Sequence, residues 1–220
     1  MSSWSSENAT KAYLQALKMG KRGKEPDVGE FISALAAGNN AQLIVMACSS
    51  IAVSRTLALV AAARQTGGRV VCILSGVIGD IDASKKSLGR YANCIEFVKG
   101  DAQKLLMGDY RGADFVLIDC NIDIDGHKNV FRAAKESVMH GSGAGVIVGY
   151  NALPKGSWRG YKTHFLPIGE GLLVTRIGEN SDVGGGRKRS RWVVTVDKCT
   201  GEEHVFRVTS SSSPRKVIEA

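Results

Sequence analysis

The chain is 220 residues long, enough for one domain with a substantial core and a few appendages. Its hydrophobic content of 44% is ordinary for a globular protein, and no apolar run reaches the roughly 18 residues that a membrane helix needs. The net charge of +8 sits at the ends: residues 1–26 carry five basic and two acidic side chains, residues 184–220 eight and four, and the long middle sixteen and fifteen. A groove-binding nucleic-acid protein carries its positive stripe on the folded surface, so the body of this chain does not read as one. The start, Met1-Ser-Ser-Trp-Ser-Ser, lacks the charge and apolar stretch of a secretory signal. Five cysteines (Cys48, Cys72, Cys94, Cys120 and Cys199) form no C-x-x-C pair, and four lie in or beside apolar runs. The expectation is a cytoplasmic or nuclear protein with reduced core thiols, no zinc site and no membrane association.

In chain order, Ser5 to Met19 predicts a helix capped by Ser5 or Ser6, with Ala9, Tyr13, Ala16 and Leu17 on one face. A linker leads to a second helix from Asp27, where Asp27 and Glu30 resemble a capping box and Gly38 offers a stop. Gln42 to Ala47 is then a continuous apolar run, the mark of a strand covered on both faces. A helix from Ile51 to Gln65 ends at Gly67-Gly68, and Arg69 to Leu74 is the next buried strand. The alternation continues with a polar helix from Asp80 to Tyr91, a strand from Cys94 to Val98 and a short helix from Asp101 to Leu106. A strand from Asp114 to Asp119, a helix from Gly126 to His140 and a strand from Ala144 to Tyr150 complete it. Five apolar strands alternating with helices predict a mostly parallel sheet with helices on both faces.

After Tyr150 the rhythm breaks. Residues 151–160 read as a loop, and Thr163 to Ile168 with Gly171 to Ile177 read as an antiparallel hairpin at the sheet's edge. Residues 178–190 are rich in glycine and charge and read as a flexible loop. Arg191 to Val196 and His204 to Val208 predict a terminal hairpin, followed by a disordered tail. The expected organisation is one α/β domain over 1–183 with N-terminal helices, and a basic loop, β-hairpin and tail over 184–220.

In such a sheet, ligands bind beyond the carboxyl ends of the strands. The residues there are Ala47 to Ser50, Ser75-Gly76, Gly100-Asp101-Ala102, Asp119-Cys120-Asn121 and Tyr150-Asn151. The turn after the first strand contains no glycine, and neither G-x-G-x-x-G nor G-K-S/T occurs there, which excludes dinucleotide and Walker loops. Ala47, Ser49 and Ser50 are small enough to leave some room. Where a ribose-binding acid is expected at the end of the second strand stands Ser75, which cannot accept from two hydroxyls as a carboxylate can.

Several stretches resemble the caffeoyl-CoA O-methyltransferase group of class I, Rossmann-like methyltransferases. They are Asp27-Val-Gly-Glu-Phe-Ile-Ser-Ala-Leu, Val98-Lys-Gly-Asp-Ala102, Phe115-Val-Leu-Ile-Asp119, Val148-Gly-Tyr150 and Leu166-Pro-Ile-Gly-Glu-Gly-Leu-Leu-Val174. The resemblance covers residues 27–177 and lies in the order and spacing of the motifs. The chain as a whole resembles a plant family of uncharacterised methyltransferase-like proteins. This implies a seven-stranded methyltransferase sheet and an S-adenosylmethionine site bounded by Ala47, Ser49, Ser50, Ser75, Asp101, Ala102 and Asp119. The departures are equally specific. The group has glycine at Ala47 and again near Ser50 or Ile51, and its ribose acid falls at Ser75. Of its two metal-binding aspartates the first falls at Asp119 and the second at Asn151, and its asparagine falls at Ala152. One carboxylate and one amide make a poor cage for Mg²⁺, so the resemblance implies no metal and weak or lost activity.

Asp119 either faces a ligand in the cleft or caps the segment after it. Asp101 sits near an adenine amino group, caps the following helix, or does both. Asp123, Asp125 and His127 lie close to Asp119 in sequence, but strand alternation would split them and Asp125-Gly126 reads as a turn. The four histidines have no serine or cysteine in a triad setting. Arg187-Lys-Arg-Ser-Arg191 reads as a solvated loop or as a weak nucleic-acid patch. Two functions follow. One is a methyltransferase-like protein that binds S-adenosylmethionine and, if active, uses Asp119 and Asn151 beneath an unknown acceptor. The other is a non-catalytic interaction protein, with protein or nucleic acid as partner, on the same scaffold.

Overall fold

The computed structural model describes residues 4–20, 28–50, 53–75, 79–122, 126–141, 144–152, 162–178, 190–196 and 203–209. The chain divides into two compact units, Met1–Ser181 and Asp182–Ala220.

The first unit opens with helix α1, Ser6–Met19, capped by the Ser5 side chain, which accepts from the Asn8 amide. Its buried positions are Ala9, Ala12 and Ala16, with Tyr13 only half-buried. Helix α2 spans Val28–Gly38; Asp27 and the capping box expected there lie outside the described residues. Strand β1 (Leu43–Cys48), helix α3 (Val53–Thr66), strand β2 (Arg69–Leu74) and helix α4 (Gly79–Leu88) follow. Gly67 leaves α3 at φ 73, and Gly68 passes so close to residues 41 and 42 that a Cβ would lie 2.6 Å from the Ala41 carbonyl.

The next stretch differs from expectation. A 3-10 helix, Gly89–Cys94, takes the end of the predicted helix and the start of the predicted strand, so β3 is Ile95–Lys99 and Cys94 is exposed. The apolar pattern begins only at Ile95, and Cys94 is drawn outward, where the Arg64 guanidinium donates to its Sγ at 3.8 Å. Beyond it lie α5 (Ala102–Met107), β4 (Phe115–Asp119), α6 (Gly126–His140), β5 (Gly145–Tyr150), β6 (Thr163–Leu166) and β7 (Leu172–Ile177).

The seven strands form one sheet in the order β3-β2-β1-β4-β5-β7-β6. β1 to β5 pair in parallel, whereas β7 is antiparallel to both β5 and β6. Strand alternation sends side chains to opposite faces. Ile44, Met46, Cys48, Phe115, Leu117, Val148 and Tyr150 pack toward α1, α2 and α3. Val45, Ala47, Ile73, Val116, Ile118 and Ile147 pack toward α5 and α6. Both faces are therefore covered, which is why the strands read as unbroken apolar runs. Among the described residues no helix is long and apolar enough to cross a membrane.

The second unit contains an antiparallel hairpin of β8 (Ser190–Val196) and β9 (Glu203–Thr209). The expected loop at 178–190, the basic stretch 187–189 and the tail after Thr209 lie outside the described residues.

Candidate functional site

The parallel order reverses at β1, between β2 and β4, and the carboxyl ends of these strands form the edge where a ligand can enter. A cavity of about 390 Å³ lies there, lined by Cys48, Ser75, Asp101, Gln103, Ile122 and Asn129 among others. Ser75 continues the sheet by one step: its amide donates to the Cys48 carbonyl at 3.1 Å, and its hydroxyl approaches the same oxygen at 3.4 Å. Asp101 caps α5, accepting from the Gln103 amide at 2.9 Å, and remains exposed on the cavity wall. Capping uses Oδ1 and leaves Oδ2 for a ligand, so the two roles coexist.

The adjoining β4–β5 edge is built differently. Asp119 is only 6% exposed. Its Oδ1 accepts from the Asn121 amide and from the Asn151 Nδ2, both at 3.0 Å. Asn151 adopts a left-handed conformation, φ 57, which asparagine tolerates better than most residues and which turns its amide back onto Asp119. Tyr150 is 1% exposed, and its hydroxyl makes no hydrogen bond. Burial, then the Asp119 carboxylate, holds the phenol far above its ordinary range. The Arg55 guanidinium lies over the Tyr150 ring, Cζ 4.6 Å from its centroid, and Arg55 Nε is buried without a hydrogen-bond partner. The Cys48 thiol is pushed up to about 12, chiefly by burial and secondarily by Asp119.

The structure thus gathers Ser75, Asp101 and Ala102 around the cavity and sets Asp119 and Asn151 together beside it. Ala47 is fully buried in the sheet core, while Ser49 is half-buried and Ser50 exposed; none of the three lines the cavity. His127 is buried in the first turn of α6, and Asp123 and Asp125 lie outside the described residues. Among the described residues no three His, Cys, Asp or Glu side chains converge as a metal site would require. Cys48, Cys72 and Cys120 are buried free thiols, and Cys199 lies outside the described residues.

Sequence reasoning missed Gln103, Asn129 and above all Arg55. Arg55 had a signal: it is the only charged residue between Leu43 and Ala63. A lone cation in the first turn of an otherwise apolar helix must either reach solvent or serve a site.

Residues 2–208 match the family described as "Protein of unknown function (DUF1442)". The chain belongs to the DUF1442 family. Comparison with curated proteins finds no match. Among solved structures, this DUF1442 chain resembles the Podospora anserina methyltransferase PaMTH1, solved with S-adenosylhomocysteine (SAH), at TM-score 0.56 and 14% identity, covering 81% of this chain and 91% of that one. A Staphylococcus aureus protein described as a candidate caffeoyl-CoA O-methyltransferase gives TM-score 0.55 and 17% identity, covering 79% and 93%. The Bacillus cereus O-methyltransferase in complex with SAH gives 0.51 and 16%, covering 78% and 91%. The fold is the Rossmann-like class I methyltransferase fold.

Proposed function

We propose that this DUF1442 protein binds S-adenosylmethionine or SAH in the carboxyl-edge cavity and has weak or lost methyltransferase activity toward an unknown acceptor. The observation that carries the reading is the cavity's position on a β3-β2-β1-β4-β5-β7-β6 sheet, with Asp101 and Ser75 on its wall. Its volume lies within the range of small-molecule sites. An adenosyl group fits the lining: Asp101 Oδ2 and the Gln103 side chain offer polar partners for a base, Ser75 offers one hydroxyl to a ribose, and Ile122 and Val130 supply apolar contact. The cofactor would supply the methyl group. The chain's part would be to bind and orient it, since methyl transfer requires mainly alignment.

The same geometry supports weak binding and little turnover. Ser75 gives a ribose a neutral hydrogen bond where an acid would give a charge-assisted one. A base at Asp119 would have to act through Oδ2, because Oδ1 already accepts two N–H groups. Cys48 and Tyr150 stay protonated at neutral pH and offer no base. The Asn151 amide directs its nitrogen at Asp119, so a divalent cation would meet a donor where it needs an oxygen. These residues do not fit a metal, and metal-assisted transfer is not part of the proposal.

A second reading, a non-catalytic scaffold, is favoured by that closed Asp119–Asn151 pair. Its partners would be a protein, or nucleic acid held weakly through 187–191; truncation at residue 183 should remove such salt-sensitive binding. A plant origin, descent from caffeoyl-CoA O-methyltransferases and a cytoplasmic or nuclear location belong to the same proposal. Calorimetric titration with S-adenosylmethionine and SAH tests the reading, and absence of saturable heat from either would refute the ligand-binding reading.

A further inference from the structure

Cys48 belongs to two groups of residues at once. It lines the cavity, and its thiol feels the Asp119 charge, while the Tyr150 hydroxyl feels both Asp119 and Cys48. The cavity and the β4–β5 edge are therefore neighbours, and a ligand longer than the cavity would reach Arg55, Tyr150 and Asp119.

Three polar atoms there lack partners. Arg55 Nε and the Tyr150 hydroxyl are buried and make no hydrogen bond. Both hydrogen bonds to the Asp119 carboxylate end on Oδ1, which leaves Oδ2. Arg55 is held against the Tyr150 ring, yet among the described residues it forms no salt bridge; those that form are Lys11 with Glu7 and Arg69 with Glu96. Buried donors left unsatisfied are costly, the more so beside a full charge. The complement of this set is a group with anionic oxygens toward Arg55 and Tyr150 and a cationic donor toward Asp119. A phosphate would suit the two donors but meet the Asp119 charge. An amine would suit Asp119 but meet the guanidinium. An α-amino-acid group satisfies all three and leaves the local charge balanced.

We propose that Arg55 and Tyr150 hold the α-carboxylate of an adenosyl ligand's amino-acid tail, with Asp119 Oδ2 accepting from its α-ammonium. The inference rests on the adenosyl ligand proposed above and specifies which of its ends the β4–β5 edge reads. It also gives Asp119 Oδ2 a use that competes with general-base chemistry, in line with binding that outlasts turnover.

The test compares SAH with 5′-methylthioadenosine, which has the same nucleoside but no amino-acid tail. Both are titrated into the full chain and into Arg55→Met and Tyr150→Phe. Wild type is expected to bind SAH at least about tenfold more tightly than methylthioadenosine. Arg55→Met should weaken SAH by roughly tenfold to a hundredfold and leave methylthioadenosine unchanged. Tyr150→Phe should weaken SAH alone by several-fold. If Arg55→Met fails to fold, Tyr150→Phe decides, because it removes only a hydroxyl that has no hydrogen bond in the protein. Equal affinity of wild type for the two ligands, or an equal loss for both in the variants, overturns the tail subsite. Failure of wild type to bind either ligand overturns instead the adenosyl reading on which it rests.

Discussion

The two halves of the sheet's carboxyl edge solve different problems. Beyond β2 and β3, Ser75 and Asp101 each keep an oxygen toward an open cavity and spend the rest of their hydrogen bonding on the local backbone. Beyond β4 and β5, Asp119 and Asn151 bond to each other, and Arg55 covers Tyr150. One half is arranged to accept a ligand with few charges; the other has its own charges and is nearly closed by its own side chains. The difference separates binding from chemistry: a protein can retain the first half's capacity while the second no longer presents a free base or a metal cage.

The sharpest way to break this contrast is to return a charge to the neutral half. Ser75→Asp should tighten S-adenosylmethionine binding by about 1.5–3 kcal/mol, roughly tenfold to a hundredfold in dissociation constant by calorimetry. An unchanged constant would mean that the cavity does not place a ribose at residue 75.

Removing the carboxylate from the closed half should instead act on stability. Asp119→Ala strips the acceptor from the Asn121 amide and the Asn151 side chain, at a cost of about 1–3 kcal/mol in chemical denaturation. A loss below about 0.5 kcal/mol would show that water replaces those bonds readily and that the half is more open than described.

The two halves also differ in how they respond to pH through the cysteine they share. The Cys48 thiol is raised from 9.0 to about 12 in the folded chain. Between those values the unfolded chain has lost the proton and the folded chain has kept it, so stability falls as pH rises through the window. Cys48→Ala should make that decline shallower by up to about 1.4 kcal/mol per pH unit. Identical slopes for wild type and variant would remove the case for a buried, protonated thiol beside Asp119.

The smallest effect belongs to Asp101. Asp101→Ala should cost about 1 kcal/mol by uncapping α5, and Asp101→Asn, which can still cap, should recover most of it. If both variants bind SAH as wild type does, Asp101 serves the helix and not the ligand.

How legible each half is in the sequence follows from the same physics. The five parallel strands are legible because both sheet faces are covered, which demands runs such as Leu43 to Cys48 and Phe115 to Ile118. Asp101 is legible because a cap and a strand-end ligand group occupy one position. Cys94 is not: a single apolar residue beside a strand gives no sign that the backbone is still in a 3-10 turn. Nor is the Arg55–Tyr150 contact, which joins residues 95 positions apart through a register that only the folded sheet defines. The Asp119–Asn151 bond lies between the two. Both residues are visible as strand ends, but the left-handed turn at Asn151 that makes them bond to each other is not.

The central claim is that the cavity takes an adenosyl ligand without the usual acid at residue 75. Calorimetric titration of SAH into the wild-type chain tests it most directly, with Ser75→Asp run alongside. The account predicts saturable one-to-one binding to wild type with a dissociation constant well above the micromolar range, tightened in the variant. Sub-micromolar binding to wild type would contradict the weakness attributed to Ser75, and no heat from either protein would contradict the ligand itself.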